Sequence, residues 1–152
     1  MKVSIIGAGN VGATCAQFIA MKGIVSEIVL LDIAEGLASG KAMDLAQSMP
    51  ALGFDTLIYP EVDDYSKTAN SEVIVVTSGQ PRKPGMSREE LVAVNVSIVE
   101  SVVKNAVKFS PKAIFIIVTN PLDTMTLVAL KASGLPKNKI IGMGTILDSN
   151  RF

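Results

Sequence analysis

Histidine is absent from all 152 residues. Without an imidazole, proton shuttling near neutral pH must use another base or borrow one from outside these residues. Cysteine is reduced to Cys15, which excludes an intrachain disulfide framework and suits a reducing compartment. As a lone thiol it reads as a small core residue. Net charge is missing too: 14 acids and 14 bases cancel, so no basic field marks a nucleic-acid partner. No uncharged apolar run reaches the ~18 residues a membrane span needs. The opening "MKVSIIGAG" leaves no room for a cleaved signal. The expectation is a soluble cytoplasmic protein with neither membrane nor nucleic acid as partner. What is present is a globular balance, 49% hydrophobic and 18% charged, in a length that suits one domain with a real core.

Short apolar runs alternate with helical patterns, without repeats or low-complexity stretches. Residues 2–7, 27–32, 54–60, 72–78, 112–119 and 139–143 predict six strands. Several are continuously apolar and rich in Ile and Val, as strands covered on both faces should be. Helices are expected at roughly 10–22, 36–49, 87–109 and 121–133. This alternation implies an α/β fold, a parallel sheet with helices on both sides. Ser87 with Glu90 predicts a capping box. Asn120-Pro121 predicts an N-cap followed by proline at the first helical position. In such sheets, corners at the carboxyl ends of strands are where ligands bind.

"GAGNVG" at 7–12 follows a predicted strand and opens a predicted helix, and Asp32 ends the next strand, twenty residues past Gly12. That is the spacing of a ribose-binding carboxylate behind a dinucleotide turn. Gly7 permits the tight turn, Gly9 lets a pyrophosphate approach the backbone, and Gly12 lets helix and strand pack closely. The helix N-terminus offers amides and a positive dipole end to the phosphates. Asp32 can accept from both ribose hydroxyls but would repel a 2′-phosphate. Ile33 and Ala34 supply no cation to hold one, so NAD is favoured over NADP.

"GQPRKPGMSREEL", residues 79–91, carries Arg82, Lys83 and Arg88 on a stretch kept irregular by Pro81, Pro84 and Gly85. A solvated loop accounts for Arg82 and Lys83. Arg88 falls in the first turn of a helix, where the dipole disfavours a cation, which makes it a functional candidate. Guanidinium forks suit carboxylate or carbonyl oxygens, and the flanking Gly and Pro suit a lid over substrate. Asn95 interrupts the apolar stripe Leu91, Ile98, Val102, Ala106 and Phe109; a polar group there needs a partner, either nearby backbone or a ligand. Asn120 is open between capping and ligand contact. Asp148 and Arg151, three apart, read as a surface ion pair if helical. The sequence stops without a glycine, proline or polar tail, which predicts a chain cut inside a larger protein.

Taken together, "GAGNVG", Asp32, "TSGQPRKPGMSREELVAVN", "VTNP" and "GTILDSNRF" resemble the lactate/malate dehydrogenase family across essentially the whole chain. The resemblance implies a doubly wound Rossmann domain of strand order 3-2-1-4-5-6 at 1–144, with 145–152 starting a catalytic domain whose remainder is absent. It implies NAD as cofactor, held by Gly7, Ala8, Gly9, Asn10, Val11, Gly12 and Asp32, by Thr77, Ser78, Gly79 and Asn95, and by Val118, Thr119 and Asn120. Asn120 would also bond substrate, Arg88 would polarise the reacting carbonyl, Arg151 would clamp a carboxylate and Asp148 would orient the catalytic histidine. Arg82 falls at the substrate-discriminating position, where malate enzymes commonly have arginine and lactate enzymes glutamine. That implies a malate/oxaloacetate dicarboxylate substrate, a place in the tricarboxylic acid cycle and a parent dimer or tetramer. "GTILDSNRF" is more like the lactate segment, so an L-lactate dehydrogenase is the alternative, and a stand-alone NAD-binding module is another. The family's proton-transfer histidine lies beyond Arg151, so the chain itself is expected to be catalytically inactive.

Overall fold

Neighbouring residues of a strand point to opposite faces, and here both faces are buried. Ile5 and Ile6 in β1 (Lys2–Ile6), Leu30 and Leu31 in β2 (Glu27–Asp32), and Val75 and Val76 in β4 (Val73–Val76) divide between two apolar clusters. That division is why these runs are continuously apolar rather than alternating. The structure is a computed structural model describing residues 1–82 and 84–151; Lys83, Phe152 and the side chains of Leu147 and Asp148 lie outside the described residues. With β3 (Leu57–Val62), β5 (Ile114–Ile117) and β6 (Ile140–Gly142), the strands make one parallel sheet in the order β3-β2-β1-β4-β5-β6. The six strands and their expected order are both observed.

Helices α1 (Asn10–Met21) and α2 (Glu35–Ala51) cover one face. Their Ala16, Ala20, Ala38 and Ala42 are fully buried, and the small side chains let both helices sit close to Ile5, Ile28 and Leu30. On the other face, Val99, Val103 and Ala106 of α3 (Arg88–Phe109) and Met125 and Ala129 of α4 (Leu122–Ser133) close over Ile74, Phe115 and Ile117. Phe115 is wholly buried at the centre of that side, where truncation to alanine would cost ~3–5 kcal/mol. A short α5 (Thr145–Ser149) follows β6. Cys15 packs at the margin of the α1/α2 core, and burial pushes its thiol above the usual value.

Several boundaries differ from expectation. β3 starts at Leu57, not residue 54: Thr56 Oγ1 donates to Val25 O (2.9 Å) and pairing with β2 begins with Leu57 N donating to Ser26 O. Asp63 N donates to Asp32 O at the far end, so the odd-numbered residues of β3 face β2 and Pro60 faces outward. A proline is tolerated there because its missing N–H belongs to the solvent side. β4 and β5 end at Val76 and Ile117, leaving 77–79 and 118–120 as loops at the carboxyl edge.

The Ser87 capping box forms as predicted, with Glu90 N donating to Ser87 Oγ (3.1 Å) and Ser87 N to Glu90 Oε2 (2.8 Å). The expected cap at Asn120 does not: α4 begins at Leu122, Pro121 is extended at ψ 122°, the Asn120-Pro121 bond is cis, and no side chain caps the helix. The buried stripe of α3 is also rotated from expectation. It runs through Asn95, Val99, Val102, Val103 and Ala106, and Phe109 ends 40% exposed where the helix leaves the sheet.

Candidate functional site

At the switch point between β1 and β4, the turn after β1 is built on close backbone contacts. Gly7 has φ +110°, a region L side chains rarely adopt, and a Cβ there would stand 2.7 Å from both Ser78 N and Thr77 Oγ1. Thr77 Oγ1 donates to Gly7 O (2.9 Å), and Gly7 N donates to Leu31 O (2.7 Å). A Cβ on Gly12 would overlap the Gly7 carbonyl oxygen, so α1 starts in contact with the turn. Gly9 is unlike these two: a Cβ added to it meets nothing within 4 Å. Open space therefore lies before the N-terminus of α1, which has neither a side-chain cap nor an acid in its first turn. Asn10 and Val11 are exposed there, while Ala8 is buried beneath. Uncapped amides at the positive end of a helix dipole suit an anion.

Asp32 closes β2 beside this opening. Its Oδ2 accepts from Ala8 N (2.6 Å) and its Oδ1 from Ala34 N (3.0 Å). The two charge-assisted bonds fix the carboxylate and leave each oxygen capacity for a hydroxyl donor. A cleft of about 340 Å³ runs from Asp32, Ile33 and Leu37 past Gly7 and Gly9 to Thr77, Ser78, Gly79 and Gln80. Tyr65, Ile98 and Val102 wall it, and among the described residues no lysine or arginine lines it.

The sequence reading missed most of that apolar wall. Ile33 carried a signal, an apolar residue following a strand-end acid, and it is 81% exposed. Tyr65 carried none, because it sits in irregular chain just before a 3₁₀ turn (Ser66–Thr68). Burial, with Asp63 and Asp32 adding to it, pushes the Tyr65 phenol up to about 12. It therefore stays protonated beside the carboxylate.

Behind the end of the cleft at residues 78–80, Asn95 and residues 118–120, which do not themselves line it, are bonded to that segment. Thr119 Oγ1 donates to Ser78 O (2.7 Å), and a Cβ on Gly79 would stand 2.5 Å from Thr119 Cγ2. Asn95, 2% exposed, accepts from Gln80 N (2.8 Å) and donates to Gln80 O (3.3 Å) and Asn120 O (2.8 Å). Its partners are thus backbone groups. Val118 is half-buried and Thr119 buried behind the exposed Asn120. Arg82, Arg88 and Arg151 are exposed and are not among the residues lining the cleft. Arg82 Nε donates to Met86 O (3.1 Å), and Arg88 opens α3. The expectations for Lys83 and for the Asp148 side chain fall outside the described residues.

A parallel sheet wound to both sides, with a glycine turn, an open helix N-terminus and a strand-end acid around one cleft, defines a dinucleotide-binding domain of the Rossmann type. The family model described as lactate/malate dehydrogenase, NAD binding domain, matches residues 1–142, and the chain belongs to that family. It is 60% identical over 152 residues to a malate dehydrogenase of Flavobacterium johnsoniae, covering 100% of this chain and 49% of the relative. Its structure is similar to that of the Archaeoglobus fulgidus malate dehydrogenase in complex with NADH, with a TM-score of 0.95 and 44% identity, over 99% of this chain and 51% of that one. The Cryptosporidium parvum lactate dehydrogenase follows at a TM-score of 0.87 and 37% identity, covering 94% of this chain and 44% of that one. The chain spans about half the length of the relatives it matches. Among the described residues, no helix is long and apolar enough to cross a membrane.

Proposed function

We propose that this chain is the NAD-binding half of a malate dehydrogenase. The observation that carries the proposal is the unobstructed space over Gly9, in the same cleft as the fixed Asp32 carboxylate. NAD fits these residues. Gly7, Ala8, Gly9, Asn10, Val11 and Gly12 take the pyrophosphate, and Asp32 takes the adenosine ribose. The apolar wall takes the adenine. Thr77, Ser78, Gly79, Asn95, Val118, Thr119 and Asn120 surround the nicotinamide end. Among the described residues no cation lines the cleft to hold a 2′-phosphate, which supports NAD over NADP.

NAD supplies the hydride acceptor for C2 of malate, and the reverse reaction starts from oxaloacetate. The chain's own residues supply charge. Arg88 polarises the C2 oxygen and stabilises the charge that develops on it. Asn120 bonds the substrate, Arg151 pairs with one carboxylate and Arg82 with the other, and Asp148 orients the base. With no histidine in the chain, the proton acceptor comes from outside these 152 residues, so the chain alone binds NAD but does not oxidise malate at a useful rate.

Residues 145–152 belong to the start of the catalytic half. The complete protein is a cytoplasmic dimer or tetramer acting in the tricarboxylic acid cycle. Stripping a buried carboxylate of its partner costs ~3–5 kcal/mol, so Arg82→Gln in the complete enzyme swings preference from oxaloacetate toward pyruvate by about two decades or more. Unchanged selectivity would refute the role of Arg82. The lactate alternative retains the likeness of "GTILDSNRF", and the same comparison of oxaloacetate and pyruvate rates decides against one of the two.

The cofactor proposal is tested on the chain itself by fluorescence titration with NADH and NADPH. Saturable NADH binding, at least about tenfold tighter than NADPH, is expected from the charge on Asp32. No NADH binding at millimolar concentration would overturn it.

A further inference from the structure

We propose that Asn95 is a positioning residue for the nicotinamide end of the cleft, acting on the cofactor through Gln80 and Asn120. This rests on the NAD-binding function proposed above. Asn95 lies two turns into α3, 2% exposed, and its amide joins two segments that the sequence separates by forty residues. Which way the amide faces is set by unambiguous backbone chemistry. Gln80 N–H can only donate, so Oδ1 faces it at 2.8 Å. Gln80 O and Asn120 O can only accept, so Nδ2 faces them at 3.3 and 2.8 Å.

Both N–H bonds of the side chain are then used, and Oδ1 keeps one lone pair. A direct contact with cofactor is confined to that single acceptor, whereas Asn95 ties Gln80, which lines the cleft, to the backbone of Asn120 in the loop after β5, outside the lining residues. The fit between them is tight: a Cβ on Gly79 would press on Thr119 Cγ2 from one side and stand 3.3 Å from Asn95 Oδ1 on the other. The amide sets the distance between Gln80, at the end of the wall after β4, and Asn120, proposed above as a substrate contact. A hydrophobic residue of similar size fills the same volume but leaves Gln80 N–H without its acceptor and lets the two segments separate.

The test compares the wild-type chain with Asn95→Leu and Asn95→Asp for affinity to NADH and to ADP-ribose, for melting temperature, and for hydrogen exchange at the Gln80 amide. ADP-ribose reports the Asp32 and Gly9 end, and NADH reports both ends. For Asn95→Leu, NADH affinity falls about tenfold while ADP-ribose stays within about twofold, and Gln80 exchange quickens by about tenfold. Asn95→Asp keeps the acceptor for Gln80 N–H but turns an oxygen toward two carbonyls. Its Gln80 amide stays protected and NADH affinity still falls.

Parallel loss of both ligands, with a lower melting temperature, would make Asn95 a packing residue and overturn the proposal. So would weaker NADH binding in Asn95→Leu with Gln80 exchange at the wild-type rate, which marks direct contact alone. Wild-type NADH affinity in Asn95→Asp overturns it even where Asn95→Leu does not fold. A wild-type chain that binds neither ligand overturns the cofactor proposal itself, and this inference falls with it.

Discussion

Two glycines three residues apart separate binding from stability. Gly9 has φ −63°, a value any residue adopts, and a Cβ there touches nothing. Replacing glycine at such a position stabilises by ~0.4–1 kcal/mol through the unfolded chain. Alanine is a poorer N-cap than glycine, which returns a cost of about the same size. The sum for Gly9→Ala is within ~1 kcal/mol of zero, or about 2–4 °C in melting temperature for a chain of this size. The new methyl nevertheless fills the space assigned to the pyrophosphate. Overpacking of ~1–3 kcal/mol there weakens NADH by about one to two decades. Gly12→Ala acts in the opposite place. Its Cβ overlaps the Gly7 carbonyl oxygen, so α1 must move off the turn at ~3 kcal/mol or more, lowering the melting temperature by about 6–12 °C. Calorimetry and NADH titration of both variants make the check. Wild-type NADH affinity in Gly9→Ala would refute the placement of the diphosphate, and equal destabilisation of the two variants would refute the account of the turn.

Asp32→Asn removes the repulsion of a 2′-phosphate while keeping one acceptor oxygen, so the NADH/NADPH affinity ratio narrows by about tenfold in paired titrations. The raised Tyr65 value means the folded state holds that proton more tightly than the unfolded chain does. Its stabilisation is complete below about pH 10 and lost as pH rises through about 12. Tyr65→Phe should therefore flatten alkaline unfolding in that window and remove the phenolate step near pH 12 in absorbance; persistence of that step would assign it elsewhere. Ser87→Ala removes the Oγ that accepts from Glu90 N at the head of α3, while the bond from the backbone amide of residue 87 to Glu90 Oε2 can remain; the change should cost ~1 kcal/mol, seen as a melting point lower by about 2–4 °C. An unchanged melting point would mean the first turn of α3 is held by other contacts.

The sheet was legible because Ile5/Ile6, Leu30/Leu31 and Val75/Val76 bury both faces, which leaves continuous apolar runs that no amphipathic helix produces. The Ser87 cap was legible because its chemistry is local, confined to four residues. Asn120 misled for the complementary reason. Its type and the proline after it suit a helix start, but α4 begins two residues later and the Asn120 carbonyl is held by Asn95, from a part of the chain no local rule consults. β3 was displaced because its start is set by pairing with Ser26 and Glu27, not by its own composition. The glycine turn and Asp32 could be read from spacing, whereas the wall joins Tyr65, from irregular chain, to Ile98 and Val102 of α3, and these meet at the cleft only once the sheet has formed.

Pro60 has a consequence for encounters between molecules. On the rim of β3 only residues 58 and 62 remain to offer amides on either side of it, roughly 13 Å apart along the strand. An incoming strand would find a carbonyl but no amide at the middle rung of its ladder, and edge-to-edge pairing of sheets is discouraged where the margin is otherwise bare. The guard is local to this margin of the sheet, the opposite margin being the three-residue β6.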